Sequence, residues 1–404
     1  MKKIVQKFGG TSLDTEQKRE FAIKHIKKAL DADYRPVIVV SAMGRAGKPY
    51  ATDTLIKMAE EIYIDINPRE KDLLMSCGEI ISSVIMVQTL QKSGVEAIAL
   101  TGAQAGIYTN DKYGESEISR VKPDKINKIL ETGKVPVIAG FQGVTEEGDV
   151  TTLGRGGSDT TASVIAAAID ALFIEIYTDV AGVMTADPNL VDNARLIDKV
   201  SYNEVCELAY QGARIIHPRA AEIAMKEGIP IKVKSTLNDG TGTLIHNKGM
   251  RSVKGDRPVT GVTSRHNIVF IKIFPLKPAE YATGLVVFNI LANHGISVDF
   301  INIRPEAISF IIESRNKDKV IDILSEYEFK FESTDSFVKV SIVGGGMTGR
   351  PGVMARMVEA LSTKNIPIYQ TTDSHTTISS LIKKDDEKQA LNALHDRFEL
   401  NSEF

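Results

Sequence analysis

The chain has no tryptophan and only two cysteines, Cys77 and Cys206, among 404 residues. Two thiols so far apart form no disulfide framework; they read as small core residues of a protein kept in a reducing compartment. Neither sign of charge dominates: 49 Lys and Arg face 52 Asp and Glu, for a net charge of -3. That balance gives no electrostatic case for nucleic acid or an acidic membrane as partner. No apolar run reads as a membrane span, and the first residues enter a strand pattern with no signal-like apolar core. A cytoplasmic protein is expected. None of the seven histidines has metal-ligand spacing to another, so no metal site is assigned. What is present is 43% hydrophobic and 25% charged, ordinary for two or three packed domains.

Residues 1–245 alternate apolar strand runs with helical patterns. Strands are expected at Ile4–Phe8, Val37–Ser41, Ala97–Thr101, Val135–Gly140, Phe173–Thr178 and Ile229–Val233. Several are apolar on consecutive residues, as strands buried on both faces require. Helical patterns fall at Thr15–Leu30, Asp53–Tyr63, Ser76–Gln91, Ser158–Asp170 and Arg219–Lys226. Such alternation describes an α/β domain with a mostly parallel sheet and helices on both faces. Ligands in these sheets bind at the carboxyl ends of strands, where this chain places GGTS, SAMGRAG, TGAQAG, AGFQG and TDVAG.

Residues 246–258 are polar, basic and glycine-containing, and read as a linker. An internal repeat follows. A shift of 70 residues superposes Leu285, Phe288, Leu291, Ile296 and Val298 on Ala355, Val358, Leu361, Ile366 and Ile368. Each copy reads β-α-β-β-α, over 265–335 and 336–404, with Gly295 or Asn365 closing its first helix in a left-handed turn. The second copy runs out of chain before its last strand. Residues 259–264, which precede the first copy, are expected to supply that edge.

Three loops carry chemistry. Lys7 ends a strand and is followed by Gly9, Gly10, Thr11 and Ser12. Glycines let backbone N–H groups approach an anion, and the lysine adds a full positive charge. The order is not that of a Walker A loop, whose lysine follows its glycines. In the second loop, Arg155 precedes Gly156, Gly157, Ser158 and Asp159. Ser158 is expected to cap a helix starting at Asp159. Arg155 offers a fork for a carboxylate and Asp159 a charge for an ammonium, a clamp suited to a zwitterion. The third loop, Thr178 to Pro188, follows another apolar strand and suits a nucleotide. Glu79 lies on an apolar helical face, beside Ile80, Ile81, Val84 and Ile85.

Together, KFGGTS, VSAMGRAG with Thr52-Asp53, CGE, TGAQAG, GFQGV, TTLGRGGSDTTA, TDVAGVMTADP and YQGARIIHPRA resemble the aspartate kinase family of the amino-acid kinase superfamily. The resemblance covers essentially the whole chain. It implies a three-layer αβα kinase domain with two C-terminal ACT domains of ferredoxin-like β-α-β-β-α-β form. It also implies ATP-dependent phosphorylation of the side-chain carboxylate of L-aspartate, the first step toward lysine, methionine, threonine and diaminopimelate. The two alternatives are another amino-acid kinase, such as a glutamate 5-kinase, and a non-catalytic amino-acid sensor.

On the family's motifs, Lys7, Arg155 and Asp159 are the catalytic set. Ser41, Thr52, Glu79, Arg155, Gly156, Gly157 and Ser158 are the aspartate site. Lys7, Gly9, Gly10, Thr11, Thr178, Asp179, Met184, Asp187 and Arg214 are the ATP site. Mg2+ is expected to ride on the phosphates. The ACT resemblance implies an amino-acid effector (lysine, meso-diaminopimelate or threonine) around Ile296, Ser297, Val298, Asp299, Ile368 and Gln370, in a homodimer or homotetramer joined through these domains. The chain departs from common family patterns at Met184, where many members place tyrosine, at Asn189 (arginine) and at Arg214 (lysine).

Overall fold

Consecutive apolar residues make a strand that must be covered on both faces, and Val37, Ile38, Val39 and Val40 are all fully buried. In the computed structural model, which describes residues 1–213, 215–247, 257–275 and 282–402, they lie inside an eight-stranded sheet. Its order is Lys199–Val200, Thr243–Ile245, Ile231–Ser235, Ile174–Thr178, Lys2–Phe8, Tyr34–Val40, Val135–Ala139 and Ala97–Leu100. All neighbours run parallel except Ile231–Ser235 with Thr243–Ile245. The chain divides into two units, and this sheet belongs to the first, built from Met1–Val183, Leu196–Ala209 and the described part of 214–251.

Alternation along the strands sorts the two faces. Ile38 and Val40 point into a cluster with Ile23 and Ile26 of the helix Glu16–Asp31 and with Met86 and Leu90 of the helix Pro68–Lys92. The helix Gly157–Ala168 packs across the central strands and against Pro218–Glu227. The Pro68–Lys92 helix begins two turns before the expected Ser76. Asn67 caps it by accepting from Arg69 N at 2.9 Å, and Pro68 occupies the first turn, where its missing N–H costs nothing. Its length and hydropathy do suit a membrane span, contrary to the sequence reading. The structure instead buries Asp72, Ser76, Glu79, Ser82 and Ser83 along it, each a poor residue to face lipid.

A small sheet escaped the sequence reading: Ile118–Val121, Ile107–Thr109, Gln142–Val144 and Val150–Thr152. Strands of three or four residues next to glycines leave too little alternation to detect. Asp72 ties this sheet to the long helix, accepting from Thr152 N at 2.7 Å, Thr152 Oγ1 at 2.8 Å and Gly114 N at 2.9 Å.

The second unit contains 184–195, 210–213 and the described residues from 257 onward. It holds two four-stranded antiparallel sheets. The first repeat orders its strands Asp299–Ile303, Ile308–Glu313, Ile268–Phe274 and Lys330–Thr334. The second orders them Gly261–Arg265, Phe337–Val343, Thr377–Lys383 and Gln370–Asp373. Gly261 pairs with Val343 and Arg265 with Lys339, so the outer strand of the second sheet precedes the whole first repeat in the chain. Gly295 and Asn365 both have left-handed φ, +69° and +56°. Ile268, Phe300, Ile311, Phe337 and Leu381 join the two sheets. Of the expected linker 246–258, residues 248–256 lie outside the described set.

Removing a buried carboxylate that satisfies three donors strands all three. Asp72→Ala is expected to cost about 3 kcal/mol in the first unit. Hydrogen exchange checks it: the amides of Gly114 and Thr152 should lose protection first.

Candidate active site

The strand Lys2–Phe8 ends on a half-buried ion pair. Lys7 Nζ lies 2.6 Å from Asp159 Oδ1, with side chains only 12% and 13% exposed. Asp159 sits in the first turn of Gly157–Ala168, where the helix N-terminus favours a carboxylate. His217 N also approaches its other oxygen, at 3.4 Å. The helix begins one residue before the predicted Ser158 cap. Gly156 is the N-cap, with φ +69°, and it makes no side-chain cap bond. Its left-handed turn brings the chain in early, so Ser158 falls inside the first turn and is buried. A Cβ on Gly156 would stand 2.2 Å from the His217 side chain, which excludes any larger residue.

The residues after Lys7 turn sharply against the neighbouring strand ends. Gly9 N donates to Tyr177 O at 3.2 Å, Ser41 N to Phe8 O at 3.2 Å and Gly44 N to Gly10 O at 3.1 Å. A Cβ on Gly10 would lie 2.2 Å from Ala42 O. The 3-10 turn Gly10–Ser12 is therefore packed directly on the Ser41–Gly44 backbone. Ser12 Oγ accepts from Thr236 Oγ1 at 2.6 Å, and Thr11 O accepts from Lys18 Nζ at 2.8 Å. Under the loop Phe8 stacks on Tyr177, with centroids 4.7 Å apart, and Tyr177 meets His25 at 4.5 Å. Glu175 accepts from Gln6 and Tyr177, both at 2.9 Å. Burial pushes the Glu175 carboxyl up, but Lys234, Gln6 and Tyr177 outweigh that and hold it below the usual range. Sequence reading missed this polar support. It hides in strand positions that pattern alone reads as core.

Glu79 is the other buried acid. It is 3% exposed; Oε1 accepts from Ala42 N at 3.0 Å and Oε2 has no partner. Gly78 makes the approach possible, since a Cβ there would lie 2.8 Å from Ala42 Cβ and 2.9 Å from Tyr50 O. Burial raises the Glu79 carboxyl to about 8, against only the lowering effect of backbone donors. Glu79 thus joins the Ser41–Gly44 loop, which in turn holds Gly10.

The other predicted residues divide. Arg155 is exposed, and among the described residues its guanidinium has no partner. Thr52 opens the helix Thr52–Glu60 behind the N-cap Ala51. Thr178 ends its strand and donates to Asp179 Oδ1 at 3.1 Å. Asp179 pairs with Arg45 at 2.9 Å, a cation in the SAMGRAG loop that the sequence reading passed over although its glycine-rich setting marked it. Met184 and Asp187 belong to the second unit, where Asp187 accepts from Asn189 N and Nδ2, both at 2.9 Å. Arg214 lies outside the described residues. Of the predicted effector residues, Ile296 is a core residue, and Val298 and Ile368 pack against the two repeat cores. Ser297 is exposed, while Gln370 is buried and donates through Nε2 to the carbonyl of Phe300, next to Asp299.

This arrangement gathers a lysine, tight glycine turns, the half-buried Asp159 and the buried Glu79 at one sheet end, which suits phosphate beside a zwitterion. The model of the amino acid kinase family matches residues 2–235, and an ACT domain model matches residues 332–396. Aspartokinase 1 of Bacillus subtilis (strain 168) is 48% identical over 404 residues, spanning 99% of this chain and 100% of its own. The aspartokinase of Geobacillus stearothermophilus is 37% identical, over 99% and 98% of the two chains. E. coli aspartokinase III, crystallised with aspartate and ADP in its R-state, aligns with a TM-score of 0.81 at 26% identity, covering 98% of this chain and 99% of that one. Its T-state complex with lysine and aspartate gives 0.77 at 26% identity, over 98% and 100%.

Glu79 makes stability depend on pH. Its carboxyl titrates near 8 in the fold against an ordinary 4.5, so the folded chain holds the proton more tightly. Stability is then expected to fall as pH rises from about 4.5 to about 8 and to level off above. Glu79→Gln should remove that slope. Thermal midpoints of both proteins across the range check it.

Proposed function

The chain belongs to the aspartokinases of the amino acid kinase family, and from that premise we propose how its own residues carry the reaction. The enzyme transfers the γ-phosphoryl group of ATP to the side-chain carboxylate of L-aspartate, giving 4-phospho-L-aspartate, and its ACT domains make it a feedback-regulated step of amino-acid biosynthesis. The acceptor oxygen attacks the γ-phosphorus, the bond to the β-phosphate oxygen breaks, and ADP leaves.

No proton needs to move. The acceptor carboxylate is ionised near neutral pH, so a general base has no task. The barrier lies in bringing a carboxylate against a triphosphate, and its relief is charge neutralisation and alignment. The observation that carries this reading is the Lys7–Asp159 pair. An ammonium has three donors, and the Asp159 carboxylate beside it fixes the head at the strand end by charge. Its donors reach one oxygen of the acceptor and one of the transferring phosphoryl group. Gly10 and Thr11 offer backbone donors to the phosphates from a loop that packing has already shaped, while Gly9, whose N–H goes to Tyr177 O, holds that loop on the sheet.

The aspartate is held by its other two groups. Arg155, exposed and unpaired, takes the α-carboxylate as a planar fork at the mouth of the helix Gly157–Ala168. Gly156, Gly157 and Ser158 bring the helix N-terminus to the same group. The free Oε2 of Glu79 accepts the α-ammonium, whose charge favours the ionised acid that burial alone disfavours. Ser41 and Thr52 flank this site. Thr178 and Asp179 line the nucleotide side, with Met184, Asp187 and Arg214 assigned there by sequence. Mg2+ would come with the phosphates of ATP and supply charge neutralisation there.

The regulatory reading adds a cytoplasmic homodimer or larger assembly, formed through the ACT repeats. The strand Asp299–Ile303 is a sheet edge with Ile301 and Ile303 exposed, the kind of edge that a second copy covers. The effector is an end-product amino acid, lysine or meso-diaminopimelate, with threonine the further candidate.

Trapping the acyl phosphate with hydroxylamine tests the acceptor. Aspartate should yield the hydroxamate, and glutamate and acetylglutamate should not; the reverse would refute the assignment. Lys7→Ala is expected to lower kcat about a hundred- to a thousand-fold. A melting curve belongs beside it, because Asp159 is left half-buried and unpaired. Arg155→Ala should instead raise KM for aspartate at least about tenfold with KM for ATP unchanged. A matched rise in both constants would remove Arg155 from the aspartate site.

A further inference from the structure

One buried cation crosses between the two repeats. Lys339 lies within the strand Phe337–Val343 of the second repeat with its side chain 3% exposed. Its Nζ stands 2.7 Å from Asp299 Oδ2, in the first repeat. Arg265 Nη1 reaches the same oxygen at 3.1 Å, and Oδ1 accepts from Phe300 N at 2.7 Å. The pair is lopsided: the lysine is enclosed, while the Asp299 side chain is 46% exposed. A lysine so enclosed cannot swing out to follow its partner, so the carboxylate is held from behind with one face turned outward.

The backbone at this point is strained. Phe300 has φ +59°, although it is neither glycine nor asparagine, and it is buried. Such a conformation is costly for a residue with a side chain and persists where its surroundings impose it. The pairing of Asp299–Ile303 with Ile308–Glu313 slips here, between Asp299 and Asn302. Three residues from outside the first repeat's sheet impose the shape. Lys339 holds Asp299 and sits over the Phe300 ring, 5.7 Å from its centroid. Arg265 adds the second cation. Gln370 donates to the Phe300 carbonyl while its Oε1 accepts from Ser309 Oγ at 2.8 Å. Burial pushes the Asp299 carboxyl up, but Lys339, the Phe300 amide and Arg265 outweigh it and keep it below the usual carboxylate range.

We propose that Lys339 is a positioning residue for effector recognition: its buried ammonium fixes the Asp299 carboxylate and the Phe300 bulge in the shape that receives the amino-acid effector. The inference rests on the reading that the effector binds around Ile296–Asp299, Ile368 and Gln370. Lys339 touches no effector in this account; it acts through Asp299. Bulges of this kind re-aim a side chain, and the side chain re-aimed here is the one carboxylate of the proposed effector set.

The test uses the full chain and the variants Lys339→Met, Lys339→Gln, Asp299→Asn and the Lys339→Met/Asp299→Asn pair. L-lysine, meso-diaminopimelate and L-threonine are titrated separately. Inhibition is read relative to each variant's own uninhibited rate, calorimetry reads binding, and melting curves establish that each variant is folded. The wild type should respond to at least one of the three. Lys339→Met is expected to raise the half-inhibiting concentration at least about tenfold. Lys339→Gln, which keeps a donor for Asp299, should fall between. The double variant should be no weaker than Lys339→Met, because both changes break one unit. A folded Lys339→Met with the wild-type half-inhibiting concentration overturns the role of Lys339 and leaves the effector site standing. Should Lys339→Met fail to fold, an unchanged response in Lys339→Gln does the same. A wild type that binds none of the three overturns the effector reading itself.

Discussion

An ammonium and a carboxylate held together away from water set the terms for the first unit. Lys7 and Asp159 come from a strand end and a helix start, 152 positions apart by their own numbers, and their contact needs both termini to meet. Everything nearby makes that meeting possible. Gly156 turns left-handed to start the helix early, Gly10 lets the loop lie on the Ala42 carbonyl, and Gly78 lets Glu79 reach the amide of Ala42. The glycines are therefore steric vacancies first. Their closeness to a phosphate follows from the same emptiness.

Two acids beside the Lys7 loop stand in opposite conditions. Asp159 has a cation at 2.6 Å, whereas Glu79 has a backbone amide and an idle oxygen. Burial pushes Glu79 toward neutrality. One carboxylate is thus committed to organising the site and the other is left to respond to a ligand's charge. That difference follows from position: Asp159 lies at a helix N-terminus beside a lysine, while Glu79 lies inside a helix on its buried side, where Val84 and Ile85, expected beside it, are instead exposed.

Much of this was readable from residues. The central strands announce themselves as unbroken apolar runs, because a sheet covered on both faces leaves no polar position to interrupt them. The loops after them were legible because glycines crowd where strands end. The repeat showed through its spacing, even to the left-handed Gly295 and Asn365. What stayed hidden depends on partners distant in sequence. Nothing local distinguishes Asp72 from a solvated helical acid, since its donors are Thr152 and Gly114. Lys339 in an alternating strand reads as a surface residue until Asp299 is placed opposite it. The Ser158 cap was misplaced by two residues: Gly156, left-handed and pressed against the His217 side chain, is the N-cap, and a preceding Gly-Gly can enter a helix in more than one way.

The outer strand of the second repeat, Gly261–Arg265, is made before the first repeat, and its partner Phe337–Val343 only after it. During synthesis the inner module can close on its own local pairings while the outer strand waits with an open edge. The outer sheet must then bridge the longest loop in the unit, and long-range pairings of this kind form late. The outer sheet of the second unit is in this sense completed after the inner one. A nascent chain passes through a period with its inner module folded and its outer one unfinished, and the exposed edge is then a hazard for wrong pairing with a neighbouring chain.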